Sequence, residues 1–352
     1  MRGAERSVGG SSGFTVLTIF TPIASRYSTV QIRRCEFILL AHRPKWHGIS
    51  RRPAQGQCEH VGDQVRGLCR RQCHLRCGAA SLTEACGNGG ARMLNFHREG
   101  SGESLVLIHG IAHHWQGWSP VIPYLAQQFE VVAVDSPGFG ESADLPAGEP
   151  QRYTDAYEAF FAELSLERPH VAGNSMGGGI ALELARRGKV RSATAISPAG
   201  FWTGLERRWV KLVLGTYANL PLPLRPAARA AVGTTAGRIA LGRLLFAHPE
   251  RMPPEVAVST LENTWRSGAT NPTLAALDSY EFEAGHELAD AVVTIAWGSK
   301  DRLLFFSRQQ PRAQGALPHA RHVVMGDVGH TPTYDDPALI AEIIKCGTLD
   351  PR

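Results

Sequence analysis

Ser175 has the residue type and the surroundings that nucleophilic catalysis needs. It lies in Gly173-Asn174-Ser175-Met176-Gly177, between an apolar run that predicts a strand and a run that predicts a helix. A glycine-rich turn in that context presents a serine at the end of a sheet. A serine hydroxyl is a weak nucleophile at its free pKa and needs a neighbouring base that a carboxylate orients. We therefore predict that Ser175 is a nucleophile.

A carboxylate and an imidazole follow Ser175 in the order that such a site requires. Asp301 comes shortly after the apolar run at 291–297, and His330 lies in the loop after the last apolar run of the chain. Where a serine lies on such a strand-to-helix turn, the acid and then the histidine follow it along the chain. No carboxylate follows the neighbouring run that ends at Ile196. The sequence predicts that Asp301 orients His330, which acts as the base.

The oxyanion of an acyl-transfer reaction needs preorganised N–H donors. The backbone N–H of Met176 follows the nucleophile directly and is the first predicted donor. The second should come from the loop after the predicted strand Leu105–Ile108, where we favour Ile111 and then Ala112. Both donors would then flank Ser175.

Several ring side chains near these loops are candidates for other roles. His109 precedes Ser175 in the chain, so we interpret it as a support for its own loop and not as the base. We predict that His113, Trp118 and Trp202 line the substrate-binding site.

The segments that must position these residues alternate between strands and helices. Short β-branched runs that predict strands occur at Leu105–Ile108, Val131–Asp135, His170–Ala172, Ala193–Ile196, Val292–Trp297 and His322–Met325. A further strand is predicted soon after Met93. This alternation indicates an α/β fold in which a mostly parallel sheet is flanked by helices. In such folds ligands bind beyond the carboxyl ends of the strands, where Ser175, Asp301 and His330 are expected.

Residues 202–287 interrupt the alternation and predict a helical lid inserted between two strands. Amphipathic windows occur at Leu205–Tyr217, Ala236–Phe246, Pro254–Trp265 and Pro272–Phe282. The apolar faces of these helices could pack on the core or line an acyl pocket. The fold would then consist of a first core part at 93–201, the lid, and a second core part at 288–348.

Residues 1–92 differ from the rest of the chain. They contain 14 Lys and Arg against 5 Asp and Glu, and 6 of the 7 cysteines. Their Arg-rich composition is compatible with a secretory or organellar leader. Zinc binding by Cys69, Cys73, His74 and Cys77 is an alternative, although the spacing lacks a second ligand pair. Our hypothesis is that translation starts at Met93 and that 1–92 is a disordered or non-native leader.

Composition excludes several functional classes. Apolar residues make up 43% and charged residues 20%, as in globular proteins. No apolar run approaches the roughly 20 residues that span a bilayer. Residues 93–352 carry 23 basic and 27 acidic residues, so a nucleic-acid partner is not expected. The single cysteine there, Cys346, fits a reducing compartment, and we expect a cytoplasmic protein without a metal or an organic cofactor.

These motifs together resemble the lidded α/β-hydrolases. The resemblance rests on His109-Gly110, Asp135-Ser-Pro-Gly-Phe-Gly-Glu-Ser142, Gly173-Asn-Ser-Met-Gly-Gly178, Trp297-Gly-Ser-Lys-Asp301 and Gly329-His330-Thr-Pro332. It implies a structural role for Asp135 in the turn after its strand. A serine at position 175 argues against haloalkane dehalogenases and epoxide hydrolases, which use aspartate there.

The resemblance leaves more than one activity open. The elbow is similar to that of carboxylesterases and of hydrolases that cleave carbon–carbon bonds in ring-fission products. The latter usually have a more glycine-rich loop than Ile111-Ala-His-His114. We therefore expect a serine hydrolase of small-molecule esters or related acyl compounds. Carbon–carbon bond hydrolysis, a cofactor-free haloperoxidase activity and non-enzymatic ligand binding are the alternatives.

Overall fold

The computed structural model describes residues 94–143, 150–282, 285–288 and 292–349. The leader hypothesis, the proposed start at Met93 and the zinc alternative at Cys69, Cys73, His74 and Cys77 all lie outside the described residues. Within the described ranges, no helix is long and apolar enough to cross a membrane.

The described residues contain one seven-stranded sheet. Its strands are β1 (Phe96–Gly100), β2 (Glu103–Ile108), β3 (Phe129–Val134), β4 (His170–Asn174), β5 (Ser192–Ile196), β6 (Val292–Gly298) and β7 (Arg321–Met325). The strand order is β1-β3-β2-β4-β5-β6-β7, with β1 antiparallel to β3 and every other pair parallel. The carboxyl ends of β2 to β7 therefore share one edge of the sheet.

Helices connect the strands. They are α1 (Ile122–Leu125), α2 (Pro150–Glu163), α3 (Met176–Arg186), α4 (Gly204–Ala218), α5 (Arg225–Val232), α6 (Thr235–Gly242), α7 (Pro254–Arg266), α8 (Thr270–Ala276), α9 (Phe306–Ala316) and α10 (Pro337–Thr348). Short 3-10 turns occur at Trp115–Trp118, Leu222–Leu224, Pro249–Arg251, Leu277–Ser279 and Gly285–Leu288.

Both faces of the sheet are buried, which explains the continuous apolar strands of the sequence. Along β2, Val106 and Ile108 join one apolar cluster, whereas Leu105 and Leu107 join the cluster on the opposite face. Helices α2 and α3 contribute to the first cluster, and α1 and α10 contribute to the second. Each fully buried aliphatic side chain contributes about 1.5–3 kcal/mol to the stability of the fold. The two clusters therefore stabilise the sheet on both of its faces.

Helices α4 to α8 form an insertion between β5 and β6, which we call the helical insertion. It begins with a capping box, in which the Thr203 hydroxyl accepts from the backbone N–H of Glu206 and the Glu206 carboxylate accepts from that of Thr203. Glu206 also pairs with Arg312 of α9. The insertion has an apolar cluster of its own, composed of Val232, Phe246, Met252 and Ala257.

The α/β class with a mostly parallel sheet is confirmed, and each predicted strand overlaps an observed one. The helical insertion differs in detail from its predicted windows. The predicted helix Pro272–Phe282 is wrong at its carboxyl end, because α8 stops at Ala276 and Tyr280 is extended. There Phe282 donates its N–H to the carbonyl of Gly200. The prediction also missed α5, which the prolines around it obscured.

Candidate active site

Ser175 lies on a tight turn between β4 and α3. Its φ of 57° and ψ of −115° place a non-glycine residue in a strained backbone region. Backbone hydrogen bonds hold it there: its N–H donates to Ile196 at 2.9 Å, and its carbonyl accepts from Gly179 and Ala199. The turn is therefore fixed between the ends of β4 and β5 and the start of α3.

The two glycines of the motif are required by close backbone contacts. A Cβ on Gly173 would lie 2.0 Å from the carbonyl oxygen of Gly177. A Cβ on Gly177 would lie 2.3 Å from the carbonyl oxygen of Ile108, at the end of β2. Neither contact can be relieved by rotating a side chain, because both partners are backbone atoms. The glycines let the turn that carries Ser175 pack directly on the neighbouring strand.

Asp301 and His330 meet at the same edge of the sheet, after β6 and β7. The Nδ1 of His330 donates to Oδ2 of Asp301 at 2.9 Å, and both side chains are at least 97% buried. The other carboxylate oxygen accepts from the N–H groups of Leu303 at 3.0 Å and Leu304 at 2.8 Å. Since a carboxylate only accepts, Nδ1 carries a proton, and in a neutral ring Nε2 is then the acceptor.

Ser175 and His330 line one cavity, and a neighbouring asparagine couples their loops. The Asn174 side chain donates to the carbonyl of His330 at 2.9 Å and to that of Ile196 at 3.1 Å. Asn174 is 4% exposed, so these bonds are shielded from water. Sequence reasoning missed this role because His330 is 156 residues away along the chain.

The predicted oxyanion loop passes beside the serine. A Cβ on Gly110 would lie 3.2 Å from the Cβ of Ser175 and 3.7 Å from its Oγ. Ile111 and Ala112 line the same cavity as Ser175, and Ala112 has a φ of 62°. Met176 is the first residue of α3. The backbone N–H groups of Met176, Ile111 and Ala112 remain the predicted donors.

His109 is positioned as a support for this loop. Its Nδ1 donates to the carbonyl of Gly110 at 2.7 Å, and its Nε2 accepts the N–H of Ser136 at 2.9 Å. Burial lowers its pKa to about 4, so the ring is neutral near pH 7. Both ring nitrogens are occupied, which leaves neither free for proton transfer.

Asp135 organises the turn after β3. One carboxylate oxygen accepts the N–H of Trp115 at 2.7 Å. The other accepts from the Asn95 amide at 2.8 Å and from the N–H of Glu141 at 3.0 Å. Its oxygens thus join the turn to Trp115 and to Asn95, which is a structural role of the kind that the resemblance implies.

A cavity of about 240 Å³ opens beside Ser175 and His330. The sheet edge supplies Gly110, Ile111, Ala112 and Leu303 to its wall. Most of the remaining wall comes from the helical insertion and is apolar: Leu214, Tyr217, Leu220, Val232, Leu241, Leu245, Phe246, Met252, Ala257 and Leu261. The arrangement suits a largely apolar ligand held beside Ser175 and His330.

The structure places only one of the three predicted substrate-binding side chains at this cavity. His113 lines it, and burial lowers the pKa of His113 to about 3. Trp118 is 1% exposed and packs in the apolar cluster on the α1 and α10 face of the sheet. Trp202 is also buried, and its Nε1 donates to the carbonyl of Tyr280 at 2.9 Å. The two tryptophans are thus core residues, and their prediction as pocket residues is corrected.

A second connection that sequence reasoning missed joins the helical insertion to the loop of His330. Oδ2 of Asp335 accepts the N–H of Gly329 at 2.7 Å and that of Ala247 at 3.0 Å, and Oδ1 accepts that of His248 at 2.8 Å. Thr331 adds a bond from its N–H to the carbonyl of Leu245. The histidine loop and the segment after α6 are held by one carboxylate.

No cluster of three or more His, Cys, Asp or Glu that could hold a metal ion occurs among the described residues.

Comparison with known proteins identifies the family. Residues 105–343 match the model of the alpha/beta hydrolase family, and the chain belongs to that family. An uncharacterized protein of Mycobacterium tuberculosis is 30% identical over 271 residues, covering 71% of this chain and 76% of the relative. An epoxide hydrolase of the same organism is 31% identical over 196 residues, covering 54% of this chain and 90% of the relative.

A solved structure extends this comparison. The crystal structure of a membrane phospholipase A described as a bacterial virulence factor aligns with a TM-score of 0.56 and 25% identity, covering 72% of this chain and 81% of that one. The chain is thus similar to hydrolases that differ in their substrates. The family establishes a hydrolase, and the reaction must be argued from the site.

Proposed function

We propose that this protein is a serine hydrolase that cleaves an ester or a related acyl bond through an acyl-enzyme. One observation carries the proposal: a buried histidine, held through Nδ1 by Asp301, lines the same apolar cavity as a serine on a strained turn. That combination supplies a nucleophile, a base in the required tautomer and a place for an apolar group.

The proposed reaction has two halves. Nε2 of His330 takes the proton from Oγ of Ser175 as the oxygen attacks the substrate carbonyl, and it then delivers that proton to the leaving group. Asp301 stabilises the imidazolium. Water, activated by His330, next attacks the acyl-enzyme and releases the acid.

The oxyanion formed in each half-reaction would be bound by backbone N–H groups. We assign Met176 as one donor and Ile111 as the other, with Ala112 as the alternative to Ile111. The contact of Gly110 with Ser175 supports the second assignment, because it brings this loop next to the nucleophile. A single donor of this kind is typically worth about 2.7–4 kcal/mol.

Ester cleavage is favoured over the reaction named in one relative. Epoxide hydrolases use an aspartate as the nucleophile, whereas this chain has Ser175 at that position. The largely apolar wall supports an acyl or alkyl group as the bound part of the substrate. Carbon–carbon bond hydrolysis would use the same serine and histidine, and a ring-fission product included among the substrates distinguishes it.

Labelling with a fluorophosphonate probe and hydrolysis of a short-chain 4-nitrophenyl ester test the proposal. The native protein should be labelled, and Ser175→Ala should lose both the label and nearly all hydrolysis. Ser197→Ala is the matched control, because Ser197 is buried at the end of the neighbouring strand β5 and should be dispensable. An unlabelled native protein, or a Ser175→Ala variant with near-native activity, would contradict the proposal and favour a ligand-binding role.

A further inference from the structure

The helical insertion places a buried cation at the cavity. Arg238 of α6 is 7% exposed and lines the same cavity as Ser175 and His330. The other lining residues include no Lys, Asp or Glu. An arginine keeps its charge at every pH that a protein tolerates. A full positive charge therefore lies in a wall that is otherwise mostly apolar.

Within the described residues, the guanidinium of Arg238 donates only to neutral groups, and these bonds use only some of its N–H donors. Its Nη1 donates to the carbonyls of Val232 and Gly233, both at 3.2 Å, and its Nη2 donates to the Thr235 hydroxyl at 3.3 Å. A guanidinium has five N–H donors, so these bonds leave two unused. Nε is buried and has no hydrogen-bond partner among the described residues.

The environment supplies little negative charge. The carbonyls of Val232 and Gly233 lie at the carboxyl end of α5, which attracts a cation weakly. In the described ranges Arg238 forms no ion pair with a carboxylate, whereas Arg312, at the junction of the insertion with α9, pairs with Glu206. Burying a charge without a counter-ion costs several kcal/mol. A ligand anion would offset that cost.

We infer that Arg238 binds an anionic group, a carboxylate or a phosphate, of the substrate that Ser175 attacks. The inference rests on the proposed function and names the substrate class: an ester whose apolar part fills the cavity and which carries a negative charge away from the scissile bond. The planar guanidinium fork matches the oxygens of either anion. The apolar side chains Leu241, Leu245 and Phe246 accommodate the part of the molecule that carries no charge.

A pair of esters that differ in one charge tests the inference through activity. The probes are 4-nitrophenyl hydrogen suberate, which has a free carboxylate, and its methyl-capped counterpart, which is neutral. The native protein should prefer the charged ester by about tenfold or more in kcat/KM, since a hydrogen bond to a charged group contributes about 1.5–3 kcal/mol. Arg238→Met should abolish the preference, because it slows the charged ester about tenfold more than the neutral one.

Two further variants separate binding from a structural role. Arg238→Lys keeps the charge without the fork and should retain part of the preference. Arg243→Met is the matched control, because Arg243 is an exposed arginine just after α6, and it should behave like the native protein. If Arg238 only stabilises the end of α5, Arg238→Met will slow both esters equally, and the inference is overturned.

A direct binding measurement tests the inference independently of catalysis. Calorimetry on Ser175→Ala should detect suberate or octyl phosphate, and the tighter of the two identifies carboxylate or phosphate as the anion. Adding Arg238→Met should weaken that binding by about tenfold or more. Failure of every ester to react, with no fluorophosphonate label, would end the proposed function. Equal binding by Ser175→Ala with and without Arg238→Met would end the inference about Arg238.

Discussion

The loops at the carboxyl edge of the sheet and the helical insertion both line the cavity, but they are held in different ways. Ser175 and Asp301 are fixed by backbone hydrogen bonds and by strands buried on both faces. The insertion contributes side chains such as Leu241 and Phe246, whose contacts are apolar and non-directional. Directional bonds constrain Ser175 and Asp301, whereas the apolar contacts of the cavity wall leave room for the shape of a ligand to vary.

The largest effect should follow from disturbing the carboxylate at the sheet edge. Asp301→Asn keeps the shape but removes the charge that stabilises the His330 imidazolium and sets its tautomer. We expect kcat for a nitrophenyl ester to fall about 10⁴-fold, the size found when the acid of such a triad becomes an amide. Asp327→Asn, at an exposed carboxylate in the loop before His330, is the control. A loss below tenfold in Asp301→Asn would remove Asp301 from the mechanism.

A substitution in the glycine turn around Ser175 should also have a large effect, in this case on the stability of the protein. Gly173→Ala places a Cβ against the carbonyl oxygen of Gly177, and we expect a loss of about 3 kcal/mol or more in the free energy of unfolding. Gly315→Ala in α9 meets no atom within 4 Å and should be neutral or slightly stabilising. Urea unfolding of both variants measures the difference. Equal stabilities would show that the turn is not tightly packed.

Acid should destabilise the protein through the buried His109. Burial lowers the pKa of His109 to about 4, below its unfolded value of 6.5, so the unfolded chain binds the proton first. Stability is therefore present above pH 6.5 and should be lost as the pH falls toward 4, by at most about 1.4 kcal/mol per pH unit for this group. Unfolding in urea across this range measures the slope.

The pKa of His248 is shifted in the opposite direction to that of His109, so urea unfolding across the same pH range should show the opposite trend for His248. Hydrogen bonds to Asp327 and Glu250 raise its pKa despite partial desolvation, so its contribution is present at low pH and is lost as the pH rises through that raised pKa. His248→Gln should leave the acid slope intact and remove only a small stabilisation of the protonated state. If His248→Gln abolished the acid slope, the assignment of that slope to the buried core histidines would be wrong.

The smallest effect is expected from the wall of the insertion. Leu241→Ala enlarges the cavity at a partly buried position and should shift the preference toward longer acyl chains, with changes of about tenfold in kcat/KM for individual esters. Stability should fall by no more than about 2 kcal/mol, because the side chain is incompletely buried. A series of 4-nitrophenyl esters measures the profile, with Leu212→Ala, at an exposed leucine of α4, as the control. An unchanged profile would exclude Leu241 from substrate selection.

Much of the candidate site at the carboxyl edge of the sheet was predictable, because the sequence signals that indicate it are local. Ser175, Asp301 and His330 each lie within a few residues of the end of an apolar run, and the carboxyl ends of parallel strands must share one edge. The glycines around Ser175 predicted a tight turn, which its positive φ reflects.

Residues whose roles depend on distant partners were not predictable in this way. Asn174 acts on the carbonyl of a residue 156 positions away, and the bonds of Asp335 reach 88 positions back to Ala247. Trp118 and Trp202 were assigned to the pocket because they adjoin its loops in the sequence, whereas both side chains are buried in the apolar core. Periodicity shows that a helix has an apolar face without showing what that face will contact, so the wall of the insertion could not be predicted residue by residue.

The hydrogen bonds of the Asp335 carboxylate limit how the helical insertion can be exchanged between members of the family to alter substrate specificity. It binds two N–H groups just after α6 and one just before His330. A chimera that replaces the whole insertion would have to present two backbone donors at the positions of Ala247 and His248, or the loop of His330 would lose an anchor. Grafts confined to the cavity-facing side of α4 to α7 avoid this requirement, and they are the safer route to an altered substrate range.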